Sequence, residues 1–391
     1  MNAAIIFFLL LVLMLTGMPI SISLGLTVLT FLFGFTQVPL ESVALKLFTG
    51  IEKFEIMAIP FFILAGNFLT HGGVARRMIN FAASMVGHWY GGLGLGGVLA
   101  CALFAAVSGS SPATVVAIGS ILLPAMVKAG FPKSFGAGVI TTSGALGILI
   151  PPSIVMVMYS VATNTSVGAL FMAGVVPGLA LAGVLAGVTW YRAKKYDYPR
   201  LPKASWLERL KAFKESAWGL LLIVIVMGGI YTGLFTPTEA AAMSAVYAFF
   251  VAVFVYKDMG LKDVPRVLLN SANMSAMLLY IITNAVLFSF IMTNENIPQS
   301  LADWMLGNGL GPIAFLLAVN VILLLAGNFM EPSSIVLIFA PILFPVAMKL
   351  GIDPVHFGII MVVNMEVGMC HPPVGLNLYV ASGITKMGIT E

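Results

Sequence analysis

Charge is scarce in this sequence. Asp, Glu, Lys and Arg together make up 9% of the 391 residues, whereas a soluble domain carries about a quarter. That composition excludes an ordinary water-soluble domain. Histidine and cysteine are scarcer still, at four and two residues. They do not gather into the Cys or His cluster that zinc wants, and two cysteines make no disulfide framework. Cys101 and Cys370 both stand in apolar runs and read as small buried hydrophobes. No Gly-x-x-x-x-Gly-Lys run occurs, so the phosphate cradle of an ATP-driven pump is missing. The net charge of +4 is not a nucleic-acid signal, because eight of the 19 Lys and Arg crowd into residues 192–216. These are Arg192, Lys194, Lys195, Arg200, Lys203, Arg209, Lys211 and Lys214, against three acids, Asp197, Glu208 and Glu215. A short basic loop between spans faces the cytoplasm.

Apolar residues fill the space that charge leaves. They make up 60% of the chain, and the mean hydropathy is +1.05. Several runs exceed the roughly 18 residues that mark a membrane helix. The runs are continuous rather than alternating, which argues against a β-barrel. The chain reads as an all-α polytopic membrane protein. Its N-terminus has no basic n-region and no small-residue cleavage site, so it reads as a retained span. One long or broken span is expected over 3–35, with Pro19 inside it. Spans follow over 56–70, 78–92, 94–127, 134–162 and 168–191, then 217–235, 239–256, 270–293, 313–348 and 355–382.

The two halves repeat. Pro124, Gly130, Gly147, Pro151 and Pro152 recur as Pro345, Gly351, Gly368, Pro372 and Pro373, at an offset of 221. Pro132, Phe135 and Gly136 recur as Pro354, Phe357 and Gly358 at 222, and Pro112 as Pro332 at 220. Counting crossings from the basic linker makes 94–127 open on the linker's side and 313–348 on the other. The repeats are therefore inverted if both segments are re-entrant hairpins, a known transporter plan with sites near the midplane. The same count puts Arg76 and Arg77 on the face away from the linker.

Each repeat is interrupted twice. Ser108-Gly109-Ser110-Ser111-Pro112 and the stretch from Asn328 to Ser334 read as hairpin tips. Thr141 to Pro152 and Asn364 to Pro373 read as breaks in the next span. Gly and Pro open the backbone there and free carbonyls, which is tolerable at membrane depth only inside protein or beside a wet cavity. Freed carbonyls with Ser, Thr and Asn oxygens make a hard cage suited to Na⁺. Half-helix N-termini at the same breaks can hold an anion without a buried Arg.

Plainer readings stand beside these. Membrane Ser and Thr often bond their own backbone. Glu239, in Thr236-Pro237-Thr238-Glu239, fits a helix start. His371 reads as a packing residue. An intramembrane protease would need Ser108 or Ser110 as nucleophile and His371 as base, drawn from opposite halves. Intramembrane acids such as Glu331 and Glu366 read as functional.

These residues resemble the large membrane subunit of TRAP (tripartite ATP-independent periplasmic) transporters. The resemblance lies in SGSSPATVVAIGSILLPAM, GALGILIPPS, GLFTPTEAAA, NFMEPSSIVLIFAPILFPVA and PPVGLNLYVASGI. It covers essentially the whole chain. It implies an elevator-type fold of the ion-transporter superfamily and Na⁺-driven uptake of an organic acid such as a C4-dicarboxylate or sialic acid. It also implies a bacterial inner-membrane location, a small four-helix membrane subunit and a soluble periplasmic binding protein. A stand-alone ion-coupled carboxylate transporter of the same superfamily is the alternative. The family normally carries a further apolar span after the ASGIT segment, and this sequence reaches Glu391 without one. The expected division is scaffold spans over 1–93, a first repeat core over 94–191, a basic linker over 192–216, scaffold spans over 217–293 and a second repeat core over 294–391.

Carried onto this chain, the resemblance implies one sodium site from Ser108, Gly109 and Ser110 with Thr141, Thr142, Ser143 and Gly144. The other comprises Asn328, Glu331, Ser333 and Ser334 with Asn364, Glu366 and Gly368. Substrate is expected between the tips and the Pro-Pro breaks, at Ser110, Ser111, Pro151, Pro152, Pro332, Pro372 and Pro373.

Overall fold

Low charge and Gly/Pro punctuation give a chain of helices joined by short turns. The computed structural model describes residues 2–36, 38–328, 330–372 and 375–388, and no strand occurs among them. Seven of the helices among the described residues are long and apolar enough to cross a membrane.

The first stretch differs from expectation. Asn2–Leu15 (α1) and Ile20–Phe35 (α2) are separate short helices, parted by Gly17 at φ +83° and by Pro19. Leu40–Thr49 (α3) follows, then a single 3₁₀ turn at Phe54–Met57 leading into Ala58–His71 (α4). Val74–Val86 (α5) is not the expected crossing over 78–92 but a 13-residue amphipathic helix. Its buried residues are Val74, Ala75, Met78, Ile79 and Ala82, one helical stripe, with Arg76, Arg77 and Asn80 off it.

The 94–127 segment is a hairpin of Gly92–Ser108 (α6) and Ser111–Lys128 (α7). The broken span is Lys133–Gly144 (α8), a 3₁₀ turn at Ala145–Ile148 and Ile154–Thr163 (α9). Val167–Lys195 (α10) and Trp206–Tyr231 (α11) take in both ends of the basic segment, so its coil is confined to 196–205. That coil is docked: Leu201 N–H donates to Gly87 O at 2.9 Å, and the Arg200 guanidinium lies 3.9 Å from the centre of the Tyr90 ring. Pro237–Phe250 (α12) continues as a π turn to Val255, and Val264–Asn294 (α13) follows. Ile297–Gly307 (α14) precedes the second hairpin, Pro312–Gly327 (α15) and Pro332–Lys349 (α16). Pro354–Gly368 (α17) and Leu376–Thr385 (α18) are the second broken span.

Arg76 and Arg77 belong on the linker's face, contrary to the parity count. Both pair with Asp258, just past the end of α12, and the Arg77 guanidinium stacks 3.8 Å over the Tyr256 ring. The Tyr256 hydroxyl donates to Glu215 O at 2.7 Å, in the linker-side half of α11. The error came from reading α5 as a span.

The hairpins open to opposite faces. Phe131, at the base of the first, packs on Tyr198 of the linker coil. Lys349, at the base of the second, pairs at 3.1 Å with Asp303 of α14, which follows the far end of α13. A cysteine at position 128 is expected to react with an impermeant thiol reagent only from the linker's face, and one at 349 only from the other. Labelling of both from one face would overturn the inverted arrangement.

The repeats interlock. α18 lies against α7 and α8 of the first repeat, and α9, besides packing on its own neighbours, lies against α16 of the second. Each hairpin is thus completed by the far half of the other repeat's broken span.

Candidate functional site

The first tip is set by Gly109, in the left-handed region at φ +60°, and by Pro112 in the first turn of α7. Close approach fixes it to the break. Ile154 N–H donates to Gly109 O at 3.3 Å, and a Cβ on Gly147 would come within 2.6 Å of Ser110 O. Ser108 is buried and shares a 2.9 Å hydrogen bond with Thr114 Oγ1. Ser111 donates to Gly144 O at 3.0 Å.

A residue that sequence reasoning missed completes this site. Asn377 of α18 is fully buried. Its Nδ2 donates to Ser111 Oγ at 2.7 Å and reaches Thr141 O at 3.4 Å. Ser153 was missed too: it caps α9, and its Oγ donates to Ile148 O at 2.6 Å. Ser143 Oγ is buried with no hydrogen-bond partner. Thr142 is not brought to the tip. It is exposed and back-bonds Gly138 O at 2.9 Å, because it lies on the outer side of α8.

In the second repeat, Gly327 and Gly368 let α15 and α17 cross closely; a Cβ on Gly368 would meet Gly327 Cα at 2.7 Å. Asn364 donates to Asn320 Oδ1 at 2.7 Å, across the same crossing. Ser334 donates to Glu331 Oε1 at 3.1 Å at the start of α16. Asn328 Oδ1 and both Glu366 carboxylate oxygens are buried without a partner.

A cavity of about 660 Å³ joins the two tips. Ser110, Ser111 and Pro112 line it from one repeat, and Glu331, Pro332, Ser333 and Ser334 from the other. It continues past Asn67 and Thr70 to His71, which is exposed at the linker end of α4. No Lys or Arg is among its described lining. Of the residues expected to meet substrate, Ser110, Ser111 and Pro332 face this space. Pro151 and Pro152 are buried behind it, and Pro372 is exposed outside it. The tips, rather than the Pro-Pro breaks, make the walls, because the first break is covered by the tip packed on it and Pro372 of the second lies away from the cavity. Pro373 lies outside the described residues, as does Phe329. His371 is exposed and its Nδ1 lies 2.6 Å from Pro372 O, so no serine–histidine pair forms.

Comparison with known proteins agrees with this layout. The family described as "Tripartite ATP-independent periplasmic transporter, DctM component" matches residues 7–391. The chain belongs to that family. It is accordingly a multi-pass membrane transport protein and not an enzyme. It is 78% identical over 405 aligned residues to the C4-dicarboxylate TRAP transporter large permease protein DctM of Rhodobacter capsulatus, covering 100% of this chain and 92% of that one. Identity is 57% to the protein of the same name from Pseudomonas aeruginosa, over 93% of this chain and 86% of that one. It is 39% to the sialic acid TRAP transporter large permease protein SiaM of Vibrio cholerae, over 95% and 87%. In fold, the chain is similar to the Alcanivorax borkumensis YdaH transporter, with a TM-score of 0.63, 16% identity and coverage of 90% and 83%.

Proposed function

We propose that this chain is the large membrane subunit of a Na⁺-coupled importer of a C4-dicarboxylate or related organic acid in the bacterial inner membrane. Its partners are a small four-helix membrane subunit and a soluble periplasmic binding protein that delivers the substrate. The hairpins and broken spans act as a core that moves, elevator-fashion, against a scaffold made from 1–93 and 217–293.

One observation carries the substrate reading. A single cavity is bordered by two half-helix N-termini, α7 at Ser110 and α16 at Glu331, one from each repeat. Exposed amides at such ends favour an anion. The α7 end carries no acidic residue and suits a carboxylate of the ligand, Glu331 stands at the α16 end with Ser334 bonded to it, and the absence of Lys and Arg from the described lining leaves the ligand to amides and hydroxyls. The relatives named for C4-dicarboxylates support the same class.

The buried oxygens fit Na⁺. Ser143 Oγ, Asn328 Oδ1 and the Glu366 carboxylate have no protein partner, and a buried polar atom without one is costly. All are hard oxygen donors, which suit a hard cation. Among the described residues no group of three or more His, Cys, Asp or Glu comes together, which leaves a transition metal without a site. Ser143 with the Thr141 and Gly144 carbonyls would hold one ion, and Asn328 with Glu366 the other.

Uptake by the reconstituted complex is expected to need an inward Na⁺ gradient and no ATP; equal uptake with K⁺ in place of Na⁺ on both sides would overturn this reading. Ser143→Ala and Asn328→Ala each remove one of these unpartnered oxygens. Both are expected to reach the membrane normally and to shift half-maximal uptake to higher Na⁺ concentration. Unchanged Na⁺ curves would make these side chains packing groups.

A further inference from the structure

The geometry points to a second carboxylate-binding site, made by Lys46 and Lys53 on the face away from the linker, at the seam between scaffold and core. It rests on the reading above, in which the core moves against the scaffold.

A separate cavity of about 230 Å³ lies there. Lys46, Thr49 and Lys53 line it from α3 and the turn that follows. Val286 and Ser289 of α13, Val161 of α9 and Pro341 of α16 close it. No acidic residue is among its described lining. Lys53 Nζ donates to Val161 O at 2.5 Å and to Asn164 Oδ1 at 2.7 Å. Both acceptors are neutral, and both belong to the C-terminal end of α9, where backbone carbonyls run out of helical partners. A cation at that end also meets the negative pole of the helix. Lys46 makes no hydrogen bond or ion pair among the described residues; its ammonium lies 5.5 Å from the centre of the Phe290 ring. Among the described residues Glu55 forms no ion pair with either lysine, although its charge lies close enough to Lys53 to favour the ammonium form.

Two ammonium groups therefore share a small cavity without a carboxylate. A small organic carboxylate supplies what both lack, since a charged acceptor makes a hydrogen bond roughly twice as strong as a neutral one. Its arrival draws Lys53 away from Val161 and Asn164. Those two bonds join the scaffold to the end of α9, while the cavity between the tips runs toward the linker's face. The site thus links the presence of an anion outside to release of the core on that side. It is distinct from the cavity between the tips, whose lining includes neither lysine.

The test uses this chain with its small membrane subunit in proteoliposomes, the binding protein being added only for uptake and as a labelling control, with a cysteine introduced by Thr49→Cys after Cys101 and Cys370 are replaced. Thr49 is exposed and bonds only its own helix, at Leu45 O. Succinate alone, without binding protein, is expected to slow modification of this cysteine by an impermeant reagent by about tenfold, and the slowing should vanish in the Lys46→Gln background. No effect of succinate, or equal slowing by sulfate, would overturn the proposal. So would slowing by succinate-free binding protein only, which would make the lysines a protein-docking patch. Independently, Lys46→Gln is expected to raise the half-saturating substrate concentration for uptake about tenfold with the maximal rate kept, and Lys46→Arg to restore it. Lys46 makes no hydrogen bond to the core among the described residues, so a merely structural role for the Lys53 bonds would leave this variant unchanged, and that result would also overturn the proposal. Failure of the unmodified complex to take up succinate would instead count against the substrate reading.

Discussion

Asn377→Leu is expected to lower uptake by at least about a hundredfold while the protein still reaches the membrane. Leucine has the branched shape and heavy-atom count of asparagine and is somewhat larger, so it leaves no cavity at the fully buried position of Asn377. What disappears is the amide that bridges Ser111 Oγ and Thr141 O, at 2.7 and 3.4 Å. Each orphaned buried group costs about 1–3 kcal/mol, and a hundredfold change is about 2.8 kcal/mol, so two lost bonds account for the effect. The bridge holds the first hairpin tip, the end of α8 and the start of α18 in one geometry. Ser111 keeps its bond to Gly144 O, so the hairpin itself stays folded. Initial uptake rates together with membrane quantity decide the matter. Wild-type uptake by Asn377→Leu would mean that the amide only packs.

The tips were legible in the sequence because their signals are local. Pro112 and Pro332 begin helices and Gly109 reverses the chain, as Gly and Pro do wherever they stand. Asn377 was not legible because its partner Ser111 lies 266 residues away, in the other repeat. Nothing in the neighbourhood of either residue announces that α18 crosses to α7. Hydropathy also hid α5. Averaged over a window, VARRMINFAASMV resembles a weak span, whereas the buried stripe of Val74, Met78 and Ala82 at intervals of four residues marks a helix lying on other helices. That misreading carried Arg76 and Arg77 to the wrong face. The short helices α3 and α14 were passed over for a similar reason, being too short to count as crossings. Thr142 shows a further limit: being next to Thr141 and Ser143 says nothing about which side of α8 a hydroxyl takes.

Glu366→Leu is expected to make the purified complex more resistant to heat in sodium-free buffer, to reduce the stabilisation that Na⁺ gives, and to abolish transport. The carboxylate is 2% exposed, and neither oxygen has a partner in the protein. A buried carboxyl is costly in either form, as an ion through lost hydration and as a neutral acid through unpaired polar oxygens, unless a counter-charge or a full set of polar partners offsets it. With neither present, the side chain is a destabilising element of the fold. Replacing buried charge with well-packed apolar groups can stabilise by about 1–4 kcal/mol. The same gap is what a cation would fill. A ligand that binds only the folded state, at a hundred times its dissociation constant, stabilises by about 2.7 kcal/mol. Leucine cannot contribute to that binding, so the rise in melting temperature between sodium-free and sodium-rich buffer should shrink, leaving what the first site supplies. Glu366→Gln, which keeps one hard oxygen, should fall between leucine and wild type. An identical Na⁺-induced rise in Glu366→Leu and wild type would remove Glu366 from the ion site. A less stable leucine variant would show that the carboxylate has a structural partner in the assembled complex, and both readings of this residue would then need replacing.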